Sequence, residues 1–176
     1  MKKASRFMPK YQPEKPNILF LLVFLGIALV ILIYHPWYFV AFVGIIILVI
    51  VSGIIDHFKT EKYFAEICKD RDGLSICEFA REFDPKIVDT WIIRAVYEQL
   101  QDALPTTMRV PVMASDNLVD TLMIDNEDLE LGLIIEVAQR TGRSIEDCEH
   151  NPYYSKVTTA RNLVLFFNHQ ARINAA

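Results

Sequence analysis

A chain of 176 residues is long enough for one small domain and an appendage. Its hydrophobic fraction of 52% is high for a soluble protein, and the excess is concentrated between Ile18 and Ile55, where no Lys, Arg, Asp or Glu occurs. The net charge of −4 is unevenly spread: the first 16 residues hold five basic groups and one acidic, the remainder 13 basic and 21 acidic. A body so acidic is repelled by nucleic acid, which argues against that class of partner.

Residues 1–16 form a basic tail carrying Lys2, Lys3, Arg6, Lys10 and Lys15 against Glu14. It suits the anionic headgroups of a bilayer. Residues 17–55 read as a transmembrane hairpin. Ile18 to Tyr34 would rise roughly 26 Å as a helix and Trp37 to Ile55 roughly 28 Å, enough for a hydrocarbon core of about 30 Å with interfacial flanks. Only His35 and Pro36 separate them, and neither run shows the polar stripe of a soluble core helix. A cleaved signal peptide fits poorly, because a second apolar run follows at once and no small-residue cleavage site is present. Lys59 and Lys62 follow the second run, while the turn has no Lys or Arg, so both termini are expected on the cytoplasmic side of an inner membrane. Tyr34, Trp37 and Tyr38 would mark the far interface.

Residues 56–83 read as a helical connector that packs on the domain. Phe58, Tyr63, Phe64 and Ile67 recur at near-helical spacing, Asp72-Gly73 interrupts them, and Ser75-x-x-Glu78 is a capping box opening a short helix through Phe83. Residues 84–176 read as an all-α bundle. Asp84-Pro85 opens its first helix, with Val88, Trp91, Ile92, Ala95, Val96 and Leu100 in one stripe, ending near Leu104-Pro105. Trp91, mid-stripe, is expected in the core. A loop from Thr106 to Ala114 follows, in which Val110 to Met113 has no partner strand. Ser115 or Asp116 should cap a turn through Thr121, and Asp125 a helix that ends at Gly142. Ser144-x-x-Asp147 suggests another short helix, Asn151-Pro152 its end, and Thr158 or Thr159 the cap of a last helix with Leu163, Phe166 and Phe167 inward; from Ala171 the chain should fray.

This order resembles the acyl carrier protein family over roughly Lys86 to Gln170. The resemblance rests on the stretch Ala114 to Asp125, the acidic helix Asn126 to Arg140, and Val157-Thr158-Thr159 leading to Leu163-Val164. It implies a small helical bundle whose acidic helix docks partner enzymes. In that family an Asp-Ser-Leu motif carries the phosphopantetheine arm on its Ser. Here the motif reads Asp125-Asn126-Glu127, and Asn126 has no hydroxyl to esterify. Neither Ser115 nor Ser144 stands at the motif position.

Other chemistry is thinly represented. The run Asp116, Asp120, Asp125, Glu127, Asp128 and Glu130 has no basic residue between Arg109 and Arg140. It reads as a docking face for a basic partner or as capping plus a solvated surface, though capping leaves Asp116 and Asp120 unexplained. As a calcium loop it fails, with Glu130 where the sixth position needs Gly. Cys148-x-His150 and His57 lack zinc spacing, and Cys68, Cys77 and Cys148 read as free thiols. Tyr153-Tyr154 could anchor an interface or pack over the core. No nucleophile–base or phosphate-loop motif is present.

The reading is therefore a membrane-anchored, non-enzymatic interaction module with no cofactor or metal, presenting Asp120, Asp125, Glu127, Asp128 and Glu130 to a cytoplasmic protein with a basic surface. The alternatives are a genuine acyl or peptidyl carrier for membrane lipid chemistry, and a small inner-membrane subunit or immunity-type protein.

Overall fold

The computed structural model describes residues 5, 8, 11, 22–29, 36–125, 127 and 129–173. Among them the secondary structure is helical, and two isolated β-bridges are the only extended pairings. Two compact units are present, one comprising Gln12–Lys62 and the other Met1–Tyr11 with Tyr63–Ala176.

In the first unit, residues 22–29 are helical (α1) and expose every side chain. Helix α2, Pro36–Asp70, begins in this unit and ends in the second. Its Val40–Asp70 portion is, among the described residues, the one helix long and apolar enough to cross a membrane. None of its most apolar window is buried, so Val40, Ile45, Leu48 and Ile50 present bare hydrocarbon. An apolar surface of that extent is at home in lipid or in an interface and costly in water. The turn expected at His35 lies outside the described residues, as does most of the first apolar run.

The second unit is built from the end of α2 onward. Phe64 is fully buried there, and Tyr63, Ile67 and Cys68 pack beside it. Gly73, at φ 81°, takes the left-handed turn that ends this stretch. Ser75 then caps α3, Ile76–Arg81, in a complete capping box with Glu78, whose carboxyl is held below its ordinary value chiefly by the Ser75 hydroxyl. Phe79 and Phe83 from this stretch enter the core, their rings 5.3 Å apart.

Helix α4 spans Thr90–Ala103 and starts five residues later than Asp84-Pro85 suggested. Asp84 organises a single turn instead, its carboxylate accepting from Lys86 N. The Asn168 side chain then intercepts the backbone: its amide donates to Ile87 O and its oxygen accepts from Asp89 N, both at 3.1 Å. Those groups are thereby lost to a continuous helix, and Asp89 becomes the cap, accepting from Trp91 N. The shift moves Trp91 to the first turn, where it is only partly buried; Ile92, Ala95, Val96 and Leu100 are buried as the stripe required.

The loop after α4 has no strand but is not slack. Val110, Val112 and Ala114 are buried, and Arg71 reaches across from the end of α2. The Arg71 guanidinium grips both Asp116 oxygens at 2.7 Å and donates to Pro111 O at 2.8 Å. Glu82 accepts from Ala114 N, and Arg161 returns to Glu82 at 2.8 Å. The acidic helix is already helical at Glu127, passes through a π segment, Leu129–Leu133, and continues as α5, Ile134–Thr141. Gly142, at φ 63°, closes it in the left-handed conformation read from the sequence. The short helix expected after Ser144 is a single 3-10 turn, Cys148–His150. Thr159 caps α6, Ala160–His169, with Leu163, Phe166 and Phe167 buried. Beyond it the chain does not fray at Ala171: Ser144 N donates to Ala171 O and Ile173 N to Gly142 O.

Candidate functional site

The stretch from Asn117 to Glu127 forms a corner between the loop and the acidic helix. Asn117, not Ser115 or Asp116, organises it. Its side-chain oxygen accepts from Val119 N at 2.9 Å and Asp120 N at 3.0 Å, and its carbonyl from Thr121 N and Leu122 N. Leu118, Leu122 and Ile124 are buried and act as the corner's roots. Leu118 N donates to Thr158 O, Asn117 bridges Thr159, and Tyr63 Oη donates to Thr121 O at 3.2 Å. The corner is thus tied both to the start of α6 and to the end of α2.

The roots leave the intervening side chains outside. Val119 is 49% exposed and Met123 41%. Met123 stands at φ 55°, a region that costs an unbranched non-glycine residue about 1–2 kcal/mol. Asp120, Asp125 and Glu127 are exposed in the same stretch. Asp128 and Asn126 lie outside the described residues, and Glu130 falls in the π segment. Asp116 does not share the face: it is buried, committed to Arg71 and to Met113 N. The sequence reading took Asp116 with the others because a long-range arginine partner leaves no local signal. It missed Val119 and Met123, although four large apolar residues within Leu118–Met123 exceed what one short turn can bury.

A second polar cluster lies between α4 and the acidic helix. Glu98 receives Arg94 at 2.9 Å and the buried Arg140. Gln99 accepts from Arg140 and donates to Glu136, each at 2.6 Å. Burial by itself would raise the Glu98 carboxyl, but the hydrogen bonds from Arg140 and Arg94 outweigh it and hold the group below the usual glutamate range. These residues border a cavity of about 570 Å³. Every donor and acceptor named is already engaged, so the cluster fastens α4 to α5. Arg140, expected merely to complement a helix end, is its central donor.

Exposed carboxylates at the corner can attract cationic groups. Among the described residues, no three His, Cys, Asp or Glu side chains are grouped to hold a metal ion. Cys68, Cys77 and Cys148 are free thiols. Tyr153 packs on His169 at 5.3 Å, whereas Tyr154 is about half exposed. No family model, curated protein or solved structure matches the chain.

Proposed function

We propose that the chain is a membrane-anchored, non-catalytic interaction module whose Asn117–Glu127 corner receives a basic cytoplasmic partner. The single observation that carries this is Met123: an exposed apolar side chain held in the left-handed region, four residues after the exposed Val119, in a stretch whose Asp120, Asp125 and Glu127 are also exposed. Strain of that kind persists where the surrounding structure enforces it, and it concentrates at ligand clamps and switches. A small apolar anchor accompanied by exposed charges also suits a docking surface, the anchor supplying affinity and the charges supplying orientation and on-rate.

The anchor is the apolar surface of α1 and α2, and basic flanks at Lys2–Lys15 and Lys59–Lys62 favour an inner-membrane hairpin with both ends cytoplasmic. The likeness to carrier proteins belongs to this proposal as well. It supports an acidic docking helix, while Asn126 removes the attachment chemistry.

The experiment is capture from detergent-solubilised membranes. The triple variant Asp120→Lys, Asp125→Lys and Glu127→Lys should keep the native circular dichroism and lose the partner. Capture by the parent chain should weaken as salt is raised. Undiminished capture by the triple variant refutes the docking face.

A further inference from the structure

The cavity of about 570 Å³ between α4 and the acidic helix has the size of a small-molecule pocket. Glu98, Gln101 and Asp102 border it from α4, at the spacing that shares one helical face. Gly132, Glu136 and Arg140 border it from the π segment and α5, at intervals of four residues. None of Val119, Asp120, Met123, Asp125 and Glu127 does so, which makes the cavity distinct from the corner.

The lining balances its charges. Three guanidiniums, those of Arg94, Arg109 and Arg140, meet three carboxylates, those of Glu98, Asp102 and Glu136. A ligand of single charge meets as much repulsion there as attraction, whereas one that carries both signs is suited to it. Most of these groups are spent: Arg94 and Arg140 on Glu98, and Glu136 on Gln99. Asp102 and Arg109 are not, for neither enters an ion pair or a side-chain hydrogen bond among the described residues. The Gln101 amide donates to Val110 O at 2.5 Å, and so holds the loop at Arg109 beside the last turn of α4, which carries Asp102. Gly132 adds an opening. Its φ is not positive, and a Cβ built on it meets no atom within 4 Å, so neither conformation nor crowding calls for glycine. Glycine weakens a helix, yet here it leaves that wall clear, within a π segment of the kind frequent at functional sites.

We propose that this cavity binds a free α-amino acid with an apolar side chain. Its carboxylate would sit on Arg109, its ammonium on Asp102, and its side chain against Gly132, Leu133 and Ile76.

The test is equilibrium dialysis of the full chain in detergent micelles against labelled L-leucine, L-methionine and L-phenylalanine. At least one should bind saturably, with one site per chain. Isocaproate and isoamylamine, which are leucine without its ammonium and without its carboxylate, should compete roughly tenfold more weakly than leucine itself. Arg109→Gln and Asp102→Asn replace exposed side chains, so melting should hold while affinity falls roughly tenfold in each. Gly132→Leu should fill the cavity and abolish binding with native circular dichroism; Gly132→Ala, which favours the helix, should weaken binding even if the leucine variant fails to fold. Absence of saturable binding by all three amino acids overturns the proposal. So does binding undiminished in the Arg109 and Asp102 variants, or isocaproate competing as well as leucine. These variants leave the corner untouched, so partner capture reads the docking proposal separately.

Discussion

Removing the Arg71 guanidinium strands a carboxylate. Asp116 is only 4% exposed at its side chain and Arg71 17%, and the two form a bidentate pair with both contacts at 2.7 Å. In Arg71→Met the carboxylate retains one partner, Met113 N at 2.8 Å, and remains buried. An uncompensated buried charge of this kind costs about 3–5 kcal/mol. Asp116→Asn is milder: the amide oxygen still accepts from Met113 N, and the partly exposed arginine can turn toward water, so the loss is about 1–3 kcal/mol. The double variant Arg71→Met, Asp116→Leu contains no buried charge and should be more stable than Arg71→Met alone, because apolar replacements of a buried pair are commonly near neutral. Urea titration of the full chain in detergent micelles, followed by Trp91 emission in a Trp37→Phe background, reads all three. The reasoning is refuted if Arg71→Met costs less than about 1 kcal/mol, or if the double variant is no more stable than Arg71→Met alone.

Phe64→Ala should destabilise the domain by about 3–5 kcal/mol in the same titration, and Trp91→Ala by clearly less, because Phe64 is fully buried and Trp91 only partly; equal losses would contradict the placement of α4. The Glu98 carboxyl is depressed in the folded state, so its stabilisation is complete above the unfolded value of about 4.3 and is lost as pH falls through the lower folded value. Glu98→Gln should therefore flatten the acid limb of a stability–pH profile below that value, and an unchanged limb would remove Glu98 as its source. Met123→Gly releases the left-handed strain, so melting should rise or hold while partner capture falls; retained capture would show that the exposed methionine has no part in docking. Coexpression with a phosphopantetheinyl transferase should leave the intact mass unchanged, since Asn126 offers no hydroxyl. A mass gain at any residue would promote the carrier alternative.

Local signals were the ones the sequence carried legibly. The Ser75–Glu78 capping box, the Gly142 stop, the Thr159 cap and the inward Leu163, Phe166 and Phe167 all depend on neighbours within a few residues, and each is where spacing put it. Departures came from contacts distant in the chain. Asn168 lies 79 residues from Asp89, and it cut short a helix start that Asp84-Pro85 advertises well. Arg71 lies 45 residues before Asp116 and turned a seemingly surface carboxylate into an interior one. At the corner, the acidic residues Asp120, Asp125 and Glu127 were visible as a charge run, whereas Val119 and Met123 were masked by resembling core residues of an ordinary turn.

The grip of Arg71 on Asp116 also sets an order of events during synthesis. At about 5–20 residues per second, a ribosome needs roughly 2–9 s to extend the chain from Arg71 to its partner 45 residues later. Phe64, Phe79, Phe83 and the buried face of α4 are already made by then, while Leu118, Leu122, Ile124 and the whole of α6, which complete the core, lie further along. For that interval the aromatic side chains have α4 to pack against, with Tyr97 standing 5.2 Å from Phe79, but not the last helix of the core. A nascent chain built this way has a window in which its core is open on one side, and a translational pause just before Asn117 would lengthen that window.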